Sequence, residues 1–130
     1  EGADRALAMA ASLAAVNPEA HVDVVYVVPI PLLDETQMAN FKDILDMMIS
    51  DGEDLLAEAE QKMGEDVAAR TDSLLLTGTN PATEIVKLIG QRDYDLLIVG
   101  NRGLSGLKEY MGSVSHKLLH ASPIPVLIAK

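Results

Sequence analysis

DLLIVGNRGLSGLKEYMGSVSHKLLHASPIPVLIAK, from Asp95 to Lys130, is the stretch from which the rest of the chain can be read. Leu96–Val99 is a short aliphatic run of the kind that fills a buried strand, and it ends on Gly100. Gly103 follows, and Gly112-Ser113-Val114-Ser115 opens a helical pattern that reaches about Ala121. Ser122-Pro123 breaks that helix, and Val126–Ala129 reads as a last strand. A buried strand, a glycine-rich turn and a helix start are the parts from which proteins build phosphate cradles. Glycine lets a ligand approach the backbone closely. The first amides of a helix have no partner inside it. Nucleotide binding is therefore the leading functional reading.

Upstream of Asp95 the pattern alternates helix and strand. Asp4 to Val16 is rich in alanine, a strong helix former, with Leu7, Ala10, Ala11 and Ala14 along one face. Asn17-Pro18 ends it, and His21 to Val28 is a β-branched, aromatic run with the composition of a buried strand. A long helix is expected from about Met38 to Met63, with Phe41, Ile44, Leu45, Met48, Leu55, Leu56, Ala59 and Met63 at helical spacing. Gly52 is a point where it can bend or break. The methionines Met38, Met47, Met48 and Met63 read as packing along this helix. Ser73 to Leu76 is a short apolar strand. Asn80-Pro81 supplies an N-cap and a first-turn proline for a helix that buries Ile85, Leu88 and Ile89, with Gly90 as its terminator. Strands alternating with helices of this length predict an α/β fold with a doubly wound, open parallel sheet and helices on both faces. Ligands on such sheets bind beyond the carboxyl ends of the strands, which is where Gly100 sits.

Composition narrows the partners. The 130 residues are a single-domain length, and 48% of them are hydrophobic, which argues against disorder. No apolar run approaches the roughly 20 residues that span a bilayer. Ten basic residues against twenty acidic give a net charge of −10, which repels nucleic-acid backbones and anionic lipid. One Phe, three Tyr and no Trp leave few platforms for stacking on single strands. Neither a nucleic acid nor a membrane is expected as a partner. With zero cysteines there are no disulfides, which fits a reducing compartment and a cytoplasmic location.

The glycine pattern resembles the signature of the universal stress proteins, Gly-x2-Gly-x9-Gly-(Ser/Thr) after the fourth strand. Gly100-Asn101-Arg102-Gly103 matches its first half, and Gly112-Ser113 followed by Val114-Ser115 matches its second. Eight residues rather than nine separate Gly103 from Gly112. The resemblance covers nearly all of the chain, strongly after Asp93 and loosely before it. It implies a Rossmann-like sandwich of the adenine-nucleotide-hydrolase type, one domain over residues 1–130, and ATP or AMP as ligand with Mg²⁺ an optional companion. By the same resemblance Val99, Gly100 and Gly103 line the ribose and phosphates. Gly112, Ser113, Val114 and Ser115 donate to the phosphates, and Val27 holds the adenine through its backbone. Family members open with an aliphatic strand ending in a Val-Asp-Gly-Ser-like turn whose aspartate contacts the nucleotide. This chain opens at Glu1-Gly2-Ala3-Asp4 on what reads as the first helix, so a first strand is expected ahead of Glu1.

Other residues are weighed on their chemistry. Arg102 is the cation inside the first glycine pair and could neutralise phosphate charge; a solvated loop arginine is the competing reading. Lys108 reads as surface. His116 and His120 have helical metal-ligand spacing, but no HExxH glutamate lies between them, so an exposed or interface face is expected and no metal. Asp93 and Asp95 suit a turn before a strand. No Gly-Lys-Ser/Thr phosphate loop and no G-x-S-x-G elbow occurs. With no dedicated base for attacking a phosphate, enzymatic activity is not expected beyond very slow ATP hydrolysis. The apolar strand Val126–Ala129 has little edge protection beyond Lys130, and members of the resembled family dimerise through it, so a homodimer is expected. The expected function is a dimeric, nucleotide-binding stress or energy sensor. The alternative is a dimeric regulator of the same fold that binds no nucleotide, its glycine loop being structural only. A flavin- or nucleotide-using α/β enzyme is a third class.

Overall fold

The computed structural model describes residues 2–100 and 113–130. It runs α1 (Gly2–Ala15), β1 (Val22–Pro29), α2 (Glu35–Lys62), α3 (Glu65–Ala68), β2 (Thr71–Gly78), α4 (Pro81–Gln91), β3 (Leu97–Gly100), α5 (Ser113–Ala121) and β4 (Val126–Ala129). Local chemistry sets the boundaries. α2 begins ahead of the expected Met38 because Asp34 and Gln37 form a reciprocal cap. The Gln37 amide donates to Asp34 Oδ1 at 2.7 Å, and the Asp34 amide donates to Gln37 Oε1 at 3.1 Å. α4 starts as expected, with Asn80 Oδ1 accepting from the Thr83 amide at 3.3 Å and Pro81 in the first turn. Gly90 does not terminate it: the Arg92 amide still donates to the Leu88 carbonyl at 3.2 Å, so the helix carries through the glycine. Gly64 has φ 87° at the step from α2 into α3, a one-turn helix that the sequence reading lacks.

The fold is α/β with parallel strands. β1 pairs with β2 from Val22↔Thr71 to Pro29↔Gly78, and β3 pairs with β4 from Leu97↔Val126 to Gly100↔Ala129. Each parallel pair needs a helical crossover, supplied by α2 in the first case and α5 in the second. α1 touches α2 and α4 touches α5, while α2 and α4 both pack on β1 and β2, so helices form layers on the sheet. The expected single sheet is, among the described strands, two two-stranded sheets. Helix packing and side-chain bonds join the halves in place of a ladder, among them the contact of α4 with α5. α1 leads into β1 yet packs on β3 and β4. Asp23 of β1 accepts at Oδ2 from Arg92 Nη1 at 3.1 Å and from the Tyr94 hydroxyl, both in the approach to β3.

The alanine-rich face of α1 packs as its spacing predicts. Ala14 joins Met63 and Val67 in a buried cluster, with Leu7, Ala10 and Ala11 partly buried against it. Gly52, by contrast, neither bends nor breaks α2. It is buried, and a Cβ there would lie 2.7 Å from Leu75 Cδ1 and 2.8 Å from Tyr26 Cδ2. The missing side chain is what lets the helix lie close on the sheet at the paired positions Tyr26 and Leu75. The apolar stripe of α2 is also longer than its buried part. Leu56 and Ala59 are buried, whereas Ile44, Met47 and Leu55 are exposed, and Met47 does not serve as packing. The first physical reason is face: Leu55 lies between buried Gly52 and Leu56, and Ile44 and Met47 lie beside the partly buried Leu45 and Met48. Length is the second. Twenty-eight helical residues reach about 42 Å, while eight strand residues reach about 26 Å, so part of α2 overhangs the sheet.

The Asp23–Tyr94 link gives the fold an alkaline limit. Burial first, then the hydrogen bond to Asp23 and the charge of its carboxylate, push the Tyr94 phenol above its ordinary 10.0. A group raised in the folded state contributes stability that is whole below the unfolded value, about pH 10, and is lost as pH climbs through the folded value. Denaturant midpoints are therefore expected to fall as pH rises beyond 10, and the Tyr94→Phe chain should lose that slope. An identical slope in both proteins would show that Tyr94 does not couple to folding.

Candidate functional site

The strands of both sheets point their carboxyl ends toward Pro29, Gly78, Gly100 and Ala129. α5 begins at Ser113, and its first turn is fixed to the end of β3 by one bond. Ser115 Oγ donates to the Gly100 carbonyl at 2.6 Å, and Ser115 is 5% exposed. That contact puts the start of a helix directly on the end of a parallel strand. The outward amides of a helix start carry partial positive charge, so an anion at this step would meet several donors at once.

The contact also changes what Ser115 can offer. Its hydroxyl proton is committed to Gly100, which leaves the main-chain amide as the group with which Ser115 could meet a phosphate. Val114 is partly buried beside it. Val99 pairs with Ile128 one residue before the end of β3. Val27 is 9% exposed and pairs with Leu76 on the other sheet. The structure thus joins Gly100 and Ser115 by a bond and sets Val99 and Val27 near the carboxyl ends of two strands. Arg102, Gly103 and Gly112 lie outside the described residues, and Ser113 is placed only as the first residue of α5.

One feature of this end was missed by sequence reasoning. Glu84, in the first turn of α4, folds its side chain over Gly78, so that a Cβ on Gly78 would lie 2.4 Å from Glu84 Cγ. Lys87 Nζ stands 3.8 Å from Glu84 Oε2. The available signal was a strand-ending glycine six residues ahead of an acid in a capped helix. Elsewhere, His116 and His120 are exposed on α5 and stack edge to face with ring centres 4.7 Å apart. Asp93 and Asp95 are exposed on either side of the half-buried Tyr94. On β4, Val126, Leu127 and Ile128 are partly buried. Ile128, Ala129 and Lys130 line a shallow groove of ≈ 450 Å³ with Arg5, Ala8, Met9 and Ser12 of α1. No helix among the described residues is long and apolar enough to cross a membrane.

Comparison with known proteins agrees with this architecture. The model of the universal stress protein family matches residues 1–130. Universal stress protein YxiE of Bacillus subtilis is 40% identical over 81 residues, a match that covers 62% of this chain and 53% of that protein. The chain thus spans about half the length of that relative. The solved structure of universal stress protein UspA from Lactobacillus plantarum superposes with a TM-score of 0.88, at 20% identity, over 100% of this chain and 90% of that one. A second solved universal stress protein, in complex with cAMP, superposes with a TM-score of 0.68 at 24% identity, over 96% of this chain and 84% of its own. At those identities the two structures speak for the fold, while the family model spans every residue from Glu1 to Lys130. Parallel strands with helical crossovers, a helix start seated on the end of β3 and this full-length match lead to one conclusion: the chain belongs to the universal stress protein family.

Proposed function

We propose that this chain binds an adenine nucleotide, ATP or AMP, where β3 meets α5, and works as a cytoplasmic, dimeric sensor of stress or energy state rather than as an enzyme. The observation that carries the reading is the Ser115–Gly100 bond, which seats the amides of a helix start on the end of a strand. In this reading the backbone of Val99, Gly100 and Gly103 lies along the ribose and phosphates. The amides of Gly112, Ser113, Val114 and Ser115 donate to phosphate oxygens, and the Val27 backbone meets the adenine. Arg102 supplies positive charge, with Mg²⁺ an optional second source. These groups bind and orient, and none is assigned as a base. The cAMP complex of a family member supports the ligand class.

A specific observation favours a second reading. Ser115 already spends its hydroxyl on the protein itself, as it would if the loop served only to hold α5 against β3. The chain would then be a dimeric regulator that takes no nucleotide. Titration calorimetry of the full chain with ATP and AMP separates the two. Saturable heat below millimolar ligand is the expected result, and Gly103→Val should abolish it with the far-UV circular dichroism unchanged, because a side chain would occupy the phosphate approach. No heat at millimolar ligand selects the regulator.

The dimer belongs to both readings and rests on the edge of β4, where Val126 and Ile128 sit. Light scattering at micromolar concentration is expected to report twice the 13.9 kDa of one chain. A monomer at that concentration removes the dimer from the proposal.

A further inference from the structure

We propose a divalent transition-metal site at the amino ends of β1 and β2, formed by His21 Nε2, Asp23 Oδ1 and Asp72 Oδ2. Asp23 and Asp72 are register partners on neighbouring parallel strands, so their side chains leave the same face. His21 stands two residues before Asp23, and the period of two in an extended chain brings it to that face as well. The imidazole Nε2 lies 3.1 Å from Asp23 Oδ1 and 3.0 Å from Asp72 Oδ2, and the three donor atoms all lie within 4.8 Å of one another. Metal–ligand bonds of about 2.0–2.1 Å in a tetrahedral site put neighbouring ligand atoms about 3.3 Å apart. Two of the three edges already have nearly that length.

A second observation separates this cluster from an ordinary surface group of acids. The Asp23 side chain is 5% exposed, and its Oδ1 is buried with no hydrogen-bond partner. It sits within ion-pair distance of the imidazole but outside hydrogen-bonding geometry. A buried carboxylate oxygen without a hydrogen bond is costly, and a cation bound between the three donors would satisfy it. The other oxygen of the same carboxylate is held by Arg92 Nη1 and the Tyr94 hydroxyl. Those two contacts aim Oδ1 at the imidazole, as outer-shell partners do for metal ligands. The His21 and Asp72 side chains are 55% and 67% exposed. An ion can therefore enter from solvent, and water can complete the coordination.

The donor set names the class of ion. One imidazole nitrogen with two carboxylate oxygens suits Zn²⁺, Co²⁺ or Ni²⁺, whereas Ca²⁺ and Mg²⁺ prefer oxygen alone. The site lies at the opposite end of β1 from Val27, so it stands whether or not the chain binds nucleotide.

Zinc binding by the full chain, read by competition with a chromophoric chelator, tests the proposal. One equivalent of Zn²⁺ is expected. His21→Ala and Asp72→Asn should each weaken it by more than the roughly 10–100-fold that losing an outer-shell partner costs. Both residues are exposed, so these variants keep the fold; Asp23→Asn, being buried, is not the deciding one. The double change His116→Ala with His120→Ala should leave the affinity as it was. Absence of zinc binding at 1:1 stoichiometry overturns the proposal. So does zinc affinity that survives His21→Ala, or that disappears with His116 and His120.

Discussion

Replacing Leu118 by alanine should lower the stability of this protein by about 3–5 kcal/mol, the range for emptying a fully buried leucine site. Leu118 is 0% exposed on α5, which packs against α4 and β4. Its side chain thus sits where the second parallel pair meets the helices that cover it. Loss of its methyl groups removes contacts on all sides, and a nine-residue helix has little capacity to collapse into the space. For a chain of this size the loss corresponds to a fall in melting temperature of about 10–20 °C. The neighbouring Leu119, 44% exposed on the same helix, is the internal control: its alanine variant should stay within about 0.5 kcal/mol of the parent. Urea midpoints for the two variants decide the matter. Equal losses would show that α5 does not present the face described here.

Arg70→Met is expected to be nearly as damaging, at about 2–4 kcal/mol, for a different reason. The Arg70 guanidinium donates from Nη1 to the carbonyls of Asn17 and Ala20 at 2.9 and 2.7 Å, and from Nη2 to the Ala14 carbonyl at 3.1 Å. It also meets Asp66 at 3.2 Å. Ala14 lies in the last turn of α1, whose carbonyls have no partner within the helix, and a positive charge there also answers the helix dipole. Together with the Asn17 amide, which donates to the Ala14 carbonyl at 3.2 Å, and the Ala20 amide, which donates to the Asn17 carbonyl at 3.0 Å, this side chain closes the end of α1 and shapes the turn that delivers the chain into β1. Hydrogen bonds to a charged group contribute about 1.5–3 kcal/mol each, and three in one network do not add. Methionine keeps the apolar stem and removes the donors. Arg70→Lys should recover less than half the loss, because a single ammonium cannot fork across three carbonyls. Hydrogen exchange adds a local readout: amides from Ala14 to Val22 should lose protection more than those of β4. A loss under about 0.5 kcal/mol would mean that water replaces these bonds without cost.

Several elements could be read before any coordinates. The Asn80-Pro81 start of α4 and the limits of α5 and β4 follow from caps, proline and aliphatic runs, all of which act within a few residues. The face of α1 was legible for the same reason, since helical spacing decides which alanines meet Met63 and Val67. The misreadings share a different cause. Gly52 looks like a break because glycine is a poor helix former, yet Tyr26 and Leu75, distant in sequence, need the absence of a side chain there. Met47 looks like core because the apolar stripe is continuous, and only the packed helix shows that Met48 beside it faces inward while Met47 faces out. Asp34 with Gln37 was a readable cap that the apolar spacing, starting at Met38, obscured.

The candidate sites divide along the same line. The strand–glycine–helix step at Gly100 was visible because all its parts are close in sequence. That Ser115 gives its hydroxyl to Gly100 was not, since any of several donors could have turned that way. His21 and Asp23 advertise themselves weakly, as two donors on one face of a strand start. Asp72 joins them only through the β1–β2 register, which closes a loop of roughly fifty residues and is set by packing against α2 and α4. By itself, then, the sequence determined the kinds of element, their order and the parallel α/β class, because spacing, capping and turn chemistry are short-range. The tertiary structure alone decided how close α2 lies, which apolar residues are buried and which polar atoms meet, because those depend on surfaces brought together from distant parts of the chain.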